Sequence, residues 1–214
     1  MGDRTSTANT DLTARARIRD AALEHFAAHG VERTTIRGVA TAAGVSHGLV
    51  QHHFGSKENL RRACDEYAAE TIRRTKDEAG AGGMADPGFL ADALRTAMPV
   101  RRYIARALID GSPSVATLFD DEVAHIESYL ADPRQTVARP RTSDLHAYAV
   151  AIAAMNFGFL ALHEQLSRTL GEDTLTPEGS PRFFRAVLDV LAEPLFTPEF
   201  TEQSRATLDR LGNP

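Results

Sequence analysis

The stretch Thr34–Lys57, TTIRGVATAAGVSHGLVQHHFGSK, decides the fold. Thr35 is a good N-cap, and Ile36, Val39 and Ala40 follow at the spacing of one buried helix face. Ala42, Ala43 and Gly44 close that helix, because Gly44 takes positive φ at no steric cost and lets the chain reverse. Val45 plugs the turn. Ser46 caps a second short helix, expected over Gly48–His53, and Phe54 anchors its end. Ser56 caps the next helix, with Lys57 in its first turn. Two short helices held at a fixed angle by a tight turn form a helix-turn-helix, whose second helix enters the DNA major groove.

The preceding segment completes a three-helix unit. Leu12–His29 is periodic, with Ile18, Ala21, Ala22 and Phe26 on one face, and Gly30 ends it. The ordered elements are now Ala21-Ala22 with Phe26, Gly30, Thr34-Thr35-Ile36, Ala43-Gly44-Val45-Ser46 and His53-Phe54-Gly55-Ser56-Lys57-Glu58-Asn59-Leu60. Residues 12–62 resemble the N-terminal DNA-binding domain of the TetR family of bacterial transcriptional regulators. The remainder resembles the family in length and all-helical character. The family usually carries an aromatic residue at the position of Gln51, and often another at His52. Gln51 instead has an amide that pairs bidentately with adenine.

The chain has 214 residues and a formal net charge of −5. The charge is divided unevenly. Residues 1–62 hold nine Lys and Arg against six Asp and Glu, net +3, and residues 63–214 hold fifteen against twenty-three, net −8. The basic end suits phosphate, and the acidic remainder limits non-specific DNA contact. The single Cys64 excludes an intrachain disulfide and reads as a small core residue of a reducing compartment, so a cytoplasmic location is expected. No secretory leader is expected, and the longest near-apolar run, Ala147–Leu162, contains Asn156 and reads as buried helix rather than a membrane span.

The expected organisation is all-α: a flexible arm over 1–11, a helix-turn-helix domain over 12–62, and a helical effector-binding and dimerisation domain over 63–214. A helix is expected from Ser56 to about Ala79, with Leu60, Cys64, Tyr67 and Thr71 along one side, then a glycine-rich loop over Gly80–Gly88. Helices over Phe89–Met98 and Val100–Asp110 are expected to be separated at Pro99. Ser112-Pro113, Ser180-Pro181 and Thr197-Pro198 each put a capping residue before a proline, predicting helices near 114–131, 181–193 and 198–211. Asp132–Arg141 reads as a loop, and Ser143 is expected to cap a long apolar helix to about Leu170. The resemblance implies that two helices per subunit pair as a four-helix dimer seam. Ala147–Leu162 and the face of Phe183, Phe184, Val187, Leu188 and Leu191 suit that role. Alternatively, both are ordinary core of one subunit.

Two rival patterns are set aside. Gly44-Val45-Ser46-His47-Gly48 matches the hydrolase G-x-S-x-G elbow, but an alanine-rich helix precedes it where that motif needs a strand, so no catalytic residue is assigned. His25 and His29 are one helical turn apart, but no further ligand stands at metal spacing, so no metal or cofactor is expected.

The expected function is a ligand-responsive, sequence-specific DNA-binding regulator and not an enzyme. In this reading it is a homodimeric repressor released from a palindromic double-stranded operator by a small-molecule effector. The alternative is a helical small-molecule-binding or catalytic protein whose N-terminal helices are only structural. Arg37, at a position from which family members reach a base, joins His47, Leu49 and Gln51 as base-edge candidates. Thr35, His52, His53 and Lys57 are phosphate candidates. Tyr103, Phe119, His125, Tyr129, Met155 and Asn156 are candidates for an effector pocket. Asn156 is the most suggestive, since a polar group among Met155, Phe157 and Phe159 needs a partner.

Overall fold

A computed structural model of the chain describes residues 3–80, 83, 86–132, 140 and 142–212. Ten helices and no strand are found among the described residues: α1 (Asp3–Arg33), α2 (Ile36–Ala43), α3 (His47–Phe54), α4 (Lys57–Gly80), α5 (Pro87–Ile109), α6 (Pro113–Ala131), α7 (Leu145–Ala161), α8 (His163–Leu170), α9 (Ser180–Ala192) and α10 (Pro198–Gly212).

The first three helices build a small unit because each buries one stripe. Ile18, Ala22 and Phe26 of α1, Val39 of α2 and Val50 of α3 are all sealed from solvent. The same core continues through Leu60, Cys64 and Ala68 of α4 and Val100, Tyr103 and Ile104 of α5. α1 packs extensively on α5. A boundary at residue 62 therefore falls inside α4, with one core running across it. A second, smaller core joins Val123 and Ile126 of α6 to Ala149 and Ala153 of α7.

Several expected boundaries shift. α1 begins at Asp3, inside the stretch read as an arm. No glycine or proline interrupts residues 3–29, so a helix nucleated on the packed segment propagates outward. α5 is one helix with Pro99 inside it, since packing against α1 overrides the proline's break. The long apolar helix is capped by Asp144, whose carboxylate accepts from the Ala147 amide 2.9 Å away, rather than by Ser143. It then splits into α7 and α8, bent by 65°. At the bend the Leu160 carbonyl accepts from His163 Nδ1 at 2.9 Å and from the Leu162 amide, which draws it out of the helical ladder. Ser112 and Ser180 make no capping bond; Ser112 pairs with Ser114, and Gly179 holds the N-cap position of α9. Most of the loop expected over Asp132–Arg141, and the middle of that over Gly80–Gly88, lie outside the described residues.

The face read as a dimer seam divides in two. Phe183 and Phe184 turn inward, Phe183 meeting Phe159 edge-to-face at 5.1 Å between ring centroids. Leu188 and Leu191 stay exposed on α9, and Tyr148 and Met155 of α7 and Leu162 at its C-cap are exposed. α10 adds exposed Phe200, Leu208 and Leu211, which the sequence reading does not single out.

Candidate nucleic-acid interface and ligand cavity

The reader is fixed by its caps. Thr35 Oγ1 accepts from the Gly38 amide at 3.1 Å, Ser46 Oγ from the Leu49 amide at 3.1 Å, and Ser56 Oγ from the Asn59 amide at 3.1 Å. Gly44 sits at φ 65°, and the Gly44 and Val45 amides return to the Thr41 and Ala40 carbonyls. Arg17 of α1 donates to the Ala43 carbonyl at 2.5 Å, a cation on the negative end of α2. That guanidinium stands 2.9 Å from where a Cβ on Gly44 would be, but the arginine side chain can yield, so it is the positive φ that favours glycine at position 44.

α3 presents His47, Gly48, Gln51 and His52 to solvent, while Val50 and Phe54 are buried. Of the base-edge candidates, His47 and Gln51 lie on the open face and Leu49 is half-buried on its flank. Gln51 Nε2 donates to the Gly55 carbonyl and closes the C-terminal end of α3, so reading a base requires it to leave that carbonyl. Arg37 is exposed on α2, and its guanidinium makes no hydrogen bond or ion pair to a described residue. Among the phosphate candidates, Thr35 and His52 are exposed and His53 is half-buried, its ring 5.4 Å from that of His52.

Lys57 is placed differently from its expected role. Its ammonium donates to the carbonyls of Val31 at 2.9 Å, Glu32 at 3.2 Å and Thr34 at 3.3 Å. Three acceptors use all three donors of an ammonium. Lys57 thus ties the start of α4 to the α1–α2 connection, and a phosphate contact would cost those bonds.

The joint between reader and body is close-packed. Gly30 breaks the helical path at φ 74°, and a Cβ there would lie 2.7 Å from Asp110 Oδ2 of α5. Asp110 is held by Arg106 at 2.9 Å. Two turns into α4, Asp65 accepts from Arg61 at 2.9 Å and from the Tyr103 hydroxyl at 2.5 Å. Burial and the Asp65 carboxylate both push the Tyr103 phenol up. A cavity of about 540 Å³ opens beside this joint, and within its lining Glu58 is paired with Arg61 and Arg106 with Asp110.

A second cavity, about 470 Å³, lies between α4, α5, α6 and α7. Its apolar wall includes Ile72, Ile104, Leu118, Phe157 and Leu160. Its polar groups are Arg73, Lys76, Arg101, Asp121, Glu122, His125 and Asn156. Glu122 is 9% exposed, ion-paired with Lys76, and accepts from Asn156 Nδ2 at 3.2 Å. The partner of Asn156 is therefore a carboxylate of its own subunit. Burial, with Lys76 nearby, lowers the His125 imidazole from its ordinary value.

Of the six pocket candidates, His125 and Asn156 line this cavity. Tyr103 lines the first cavity at the joint, Phe119 packs on Phe157 at 5.5 Å, Tyr129 stacks beside His125, and Met155 faces outward. These four lie outside the lining of the second cavity, since aromatic and apolar side chains serve packing equally well. Lys76, Arg101 and Glu122 escaped the sequence reading. Among the described residues no group of three or more His, Cys, Asp or Glu could hold a metal, and no single helix is long and apolar enough to cross a membrane.

A helix-turn-helix reader sharing one core with a cavity-bearing helical body defines a DNA-binding regulator. Residues 18–64 match the profile of the bacterial regulatory proteins, tetR family. Over 161 residues the chain is 38% identical to the HTH-type transcriptional regulatory protein RaaS of Mycobacterium tuberculosis, covering 74% of each chain. It is 34% identical to an HTH-type transcriptional repressor of the same organism, covering 75% of this chain and 79% of that one. A solved TetR-family transcriptional regulator from Rhodococcus sp. shares the fold at a TM-score of 0.56 and 20% identity, over 83% of this chain and 97% of that one. The chain belongs to the TetR family of bacterial transcriptional regulators, and is a helix-turn-helix protein that regulates transcription through DNA.

Proposed function

We propose that the chain is a homodimeric repressor in the bacterial cytoplasm, released from a palindromic operator when a small molecule fills the α4–α7 cavity. The observation that carries this reading is the cavity itself: α4 forms one wall with Ala69, Ile72 and Lys76, and the same helix begins at Lys57, bonded into the reader. Relatives called repressors support the sign of regulation. The exposed Leu188 and Leu191 of α9, with exposed Leu162 at the end of α7, support a dimer, since large apolar side chains left open on a free subunit suit a cover. A two-fold dimer spaces its reading helices by about one DNA turn, ~34 Å. Arg37, His47 and Gln51 read base edges, with Leu49 at the flank, and Thr35, His52 and His53 face the backbone.

The test is retardation of DNA from immediately upstream of the coding sequence, with sedimentation in parallel. Retardation that weakens steeply with salt, from a dimer, is expected. A Leu188→Glu, Leu191→Glu double variant should sediment as a monomer and lose the retardation. A wild-type monomer, or no retardation at low salt, would refute the reading.

A further inference from the structure

Among the described residues, Arg101 is the one arginine or lysine of the α4–α7 cavity lining without an ion-pair partner. Arg101, on α5, also lines a smaller neighbouring cavity of about 210 Å³ with Asn156, Leu160, Phe183 and Phe184. A guanidinium has five N–H donors in a planar fork. Among the described residues Arg101 makes a single hydrogen bond, a long one of 3.4 Å to the Leu175 carbonyl, and its guanidinium lies 5.7 Å over the Phe184 ring. The nearby Asp173 carboxylate is taken by Arg102 at 2.5 Å. The other charges of the lining are occupied or solvated. Lys76 is paired with Glu122, Arg73 with Glu70, and Asp121 is exposed to water. Glu122 has both oxygens engaged, by Lys76 and Asn156, so it does not call for a cation.

We propose that this cavity takes an amphipathic carboxylate, its head on the Arg101 guanidinium and its apolar body against Ile72, Ile104, Leu118, Phe157 and Leu160. A planar carboxylate matches the fork bidentately, and charge-assisted bonds of this kind are roughly twice as strong as neutral ones. Burial lowers the Arg101 guanidinium from its ordinary value, with Asp173 opposing, so the protein alone leaves its charge under-compensated. A bound anion relieves that deficit. The position of Arg101 between the two cavities sets the head near the middle, leaving room for an apolar body toward α4 and α6 or toward α9.

The inference rests on reading this cavity as the effector site, and the experiment separates the two. Two matched probe sets are titrated into the full-length protein: sodium decanoate, decanamide and decylammonium, and sodium 2-naphthoate, 2-naphthamide and 2-naphthylmethylammonium. Affinity is read calorimetrically. In at least one set the carboxylate should bind about tenfold tighter than its amide and its amine, a difference of ~1.4 kcal/mol. Arg101→Gln should collapse that preference to within about twofold, and Arg101→Lys should restore part of it. The set that responds tells an alkyl from an aryl body. An amide or amine that binds as well as the acid in both sets, binding absent from both, or an acid preference unchanged in Arg101→Gln overturns the proposal. The wild-type comparison decides even if Arg101→Gln does not fold. Release of the upstream DNA by the same probes is scored separately. Arg101-dependent carboxylate binding without release refutes the effector reading and leaves the anion site standing.

Discussion

Replacing Lys57 with methionine separates two roles by sign. The three carbonyls it serves belong to Val31, Glu32 and Thr34, at the point where α1 hands the chain to α2. Methionine keeps most of the aliphatic stem and removes the donors. A hydrogen bond from a charged donor contributes ~1.5–3 kcal/mol. Lys57 is half-exposed, and water reaches the Glu32 carbonyl readily, so three such bonds do not sum. Discounted for that solvation, the loss is about 1–2 kcal/mol for the site. In a domain of this size that is a fall in Tm of roughly 2–8 °C. The salt dependence of operator binding, compared at a temperature where both proteins are folded, should keep its slope. A lysine acting as a phosphate contact gives the opposite pattern: unchanged Tm, and a slope of log K against log salt shallower by ~0.9 per subunit, ~1.8 for a dimer. Observing that pattern in thermal unfolding and salt-titrated band shifts would refute the structural role.

Gly48 is exposed on the reading face, and a Cβ there would meet nothing closer than Ser46 Oγ at 3.9 Å, so the fold does not require glycine. Gly48→Ala should stabilise the protein by ~0.5–1 kcal/mol in denaturant titration yet weaken operator binding, and unchanged binding would remove Gly48 from the interface. The lowered His125 means that the folded state binds fewer protons there than the unfolded state below its ordinary value of 6.5. Stability should therefore fall as pH drops through that value, and His125→Gln should lose this part of the slope in unfolding measured from pH 8 to pH ~5. Burial pushes the Cys64 thiol up to about 12, so iodoacetamide at pH ~8 should leave it unmodified until the protein is unfolded.

The reader was legible because its signals are local. Thr35, Ser46 and Ser56 cap within three residues, and Gly44 turns the chain by its own φ. What escaped depends on distant partners. The carboxylate of Glu122 sits in an acidic run, Asp120-Asp121-Glu122, that reads as a solvated face, and only Lys76, forty-six positions away, shows why it is buried. Arg101 and Arg102 are adjacent and identical in kind, yet one lines a cavity and the other pairs with Asp173 near the surface. Helical position separates them by about 100°, which decides burial only once α7 and α9 are in place. Pro99 misled for the converse reason, since a strong local signal yielded to the packing of α5 on α1.

The arrangement of α4 explains how a cavity of this size could govern a reader beyond its reach. From Lys57 to Lys76 the helix rises about 28 Å. Its first turn is bonded to the α1–α2 connection, its third is clamped by Asp65 to Tyr103 of α5, and its later turns form the cavity wall. A ligand acts on DNA affinity only to the extent that it binds one position of this helix better than another. The Lys76–Glu122 pair spans α4 and α6 across the cavity, so a molecule that inserts between them bears directly on that equilibrium. The Asp65 clamp and the Gly30–Asp110 contact pack α1, α4 and α5 closely together. On the proposed reading, motion at Lys76 would therefore reach Lys57 as a tilt of the whole helix rather than as bending, and would change the spacing of the two readers of a dimer.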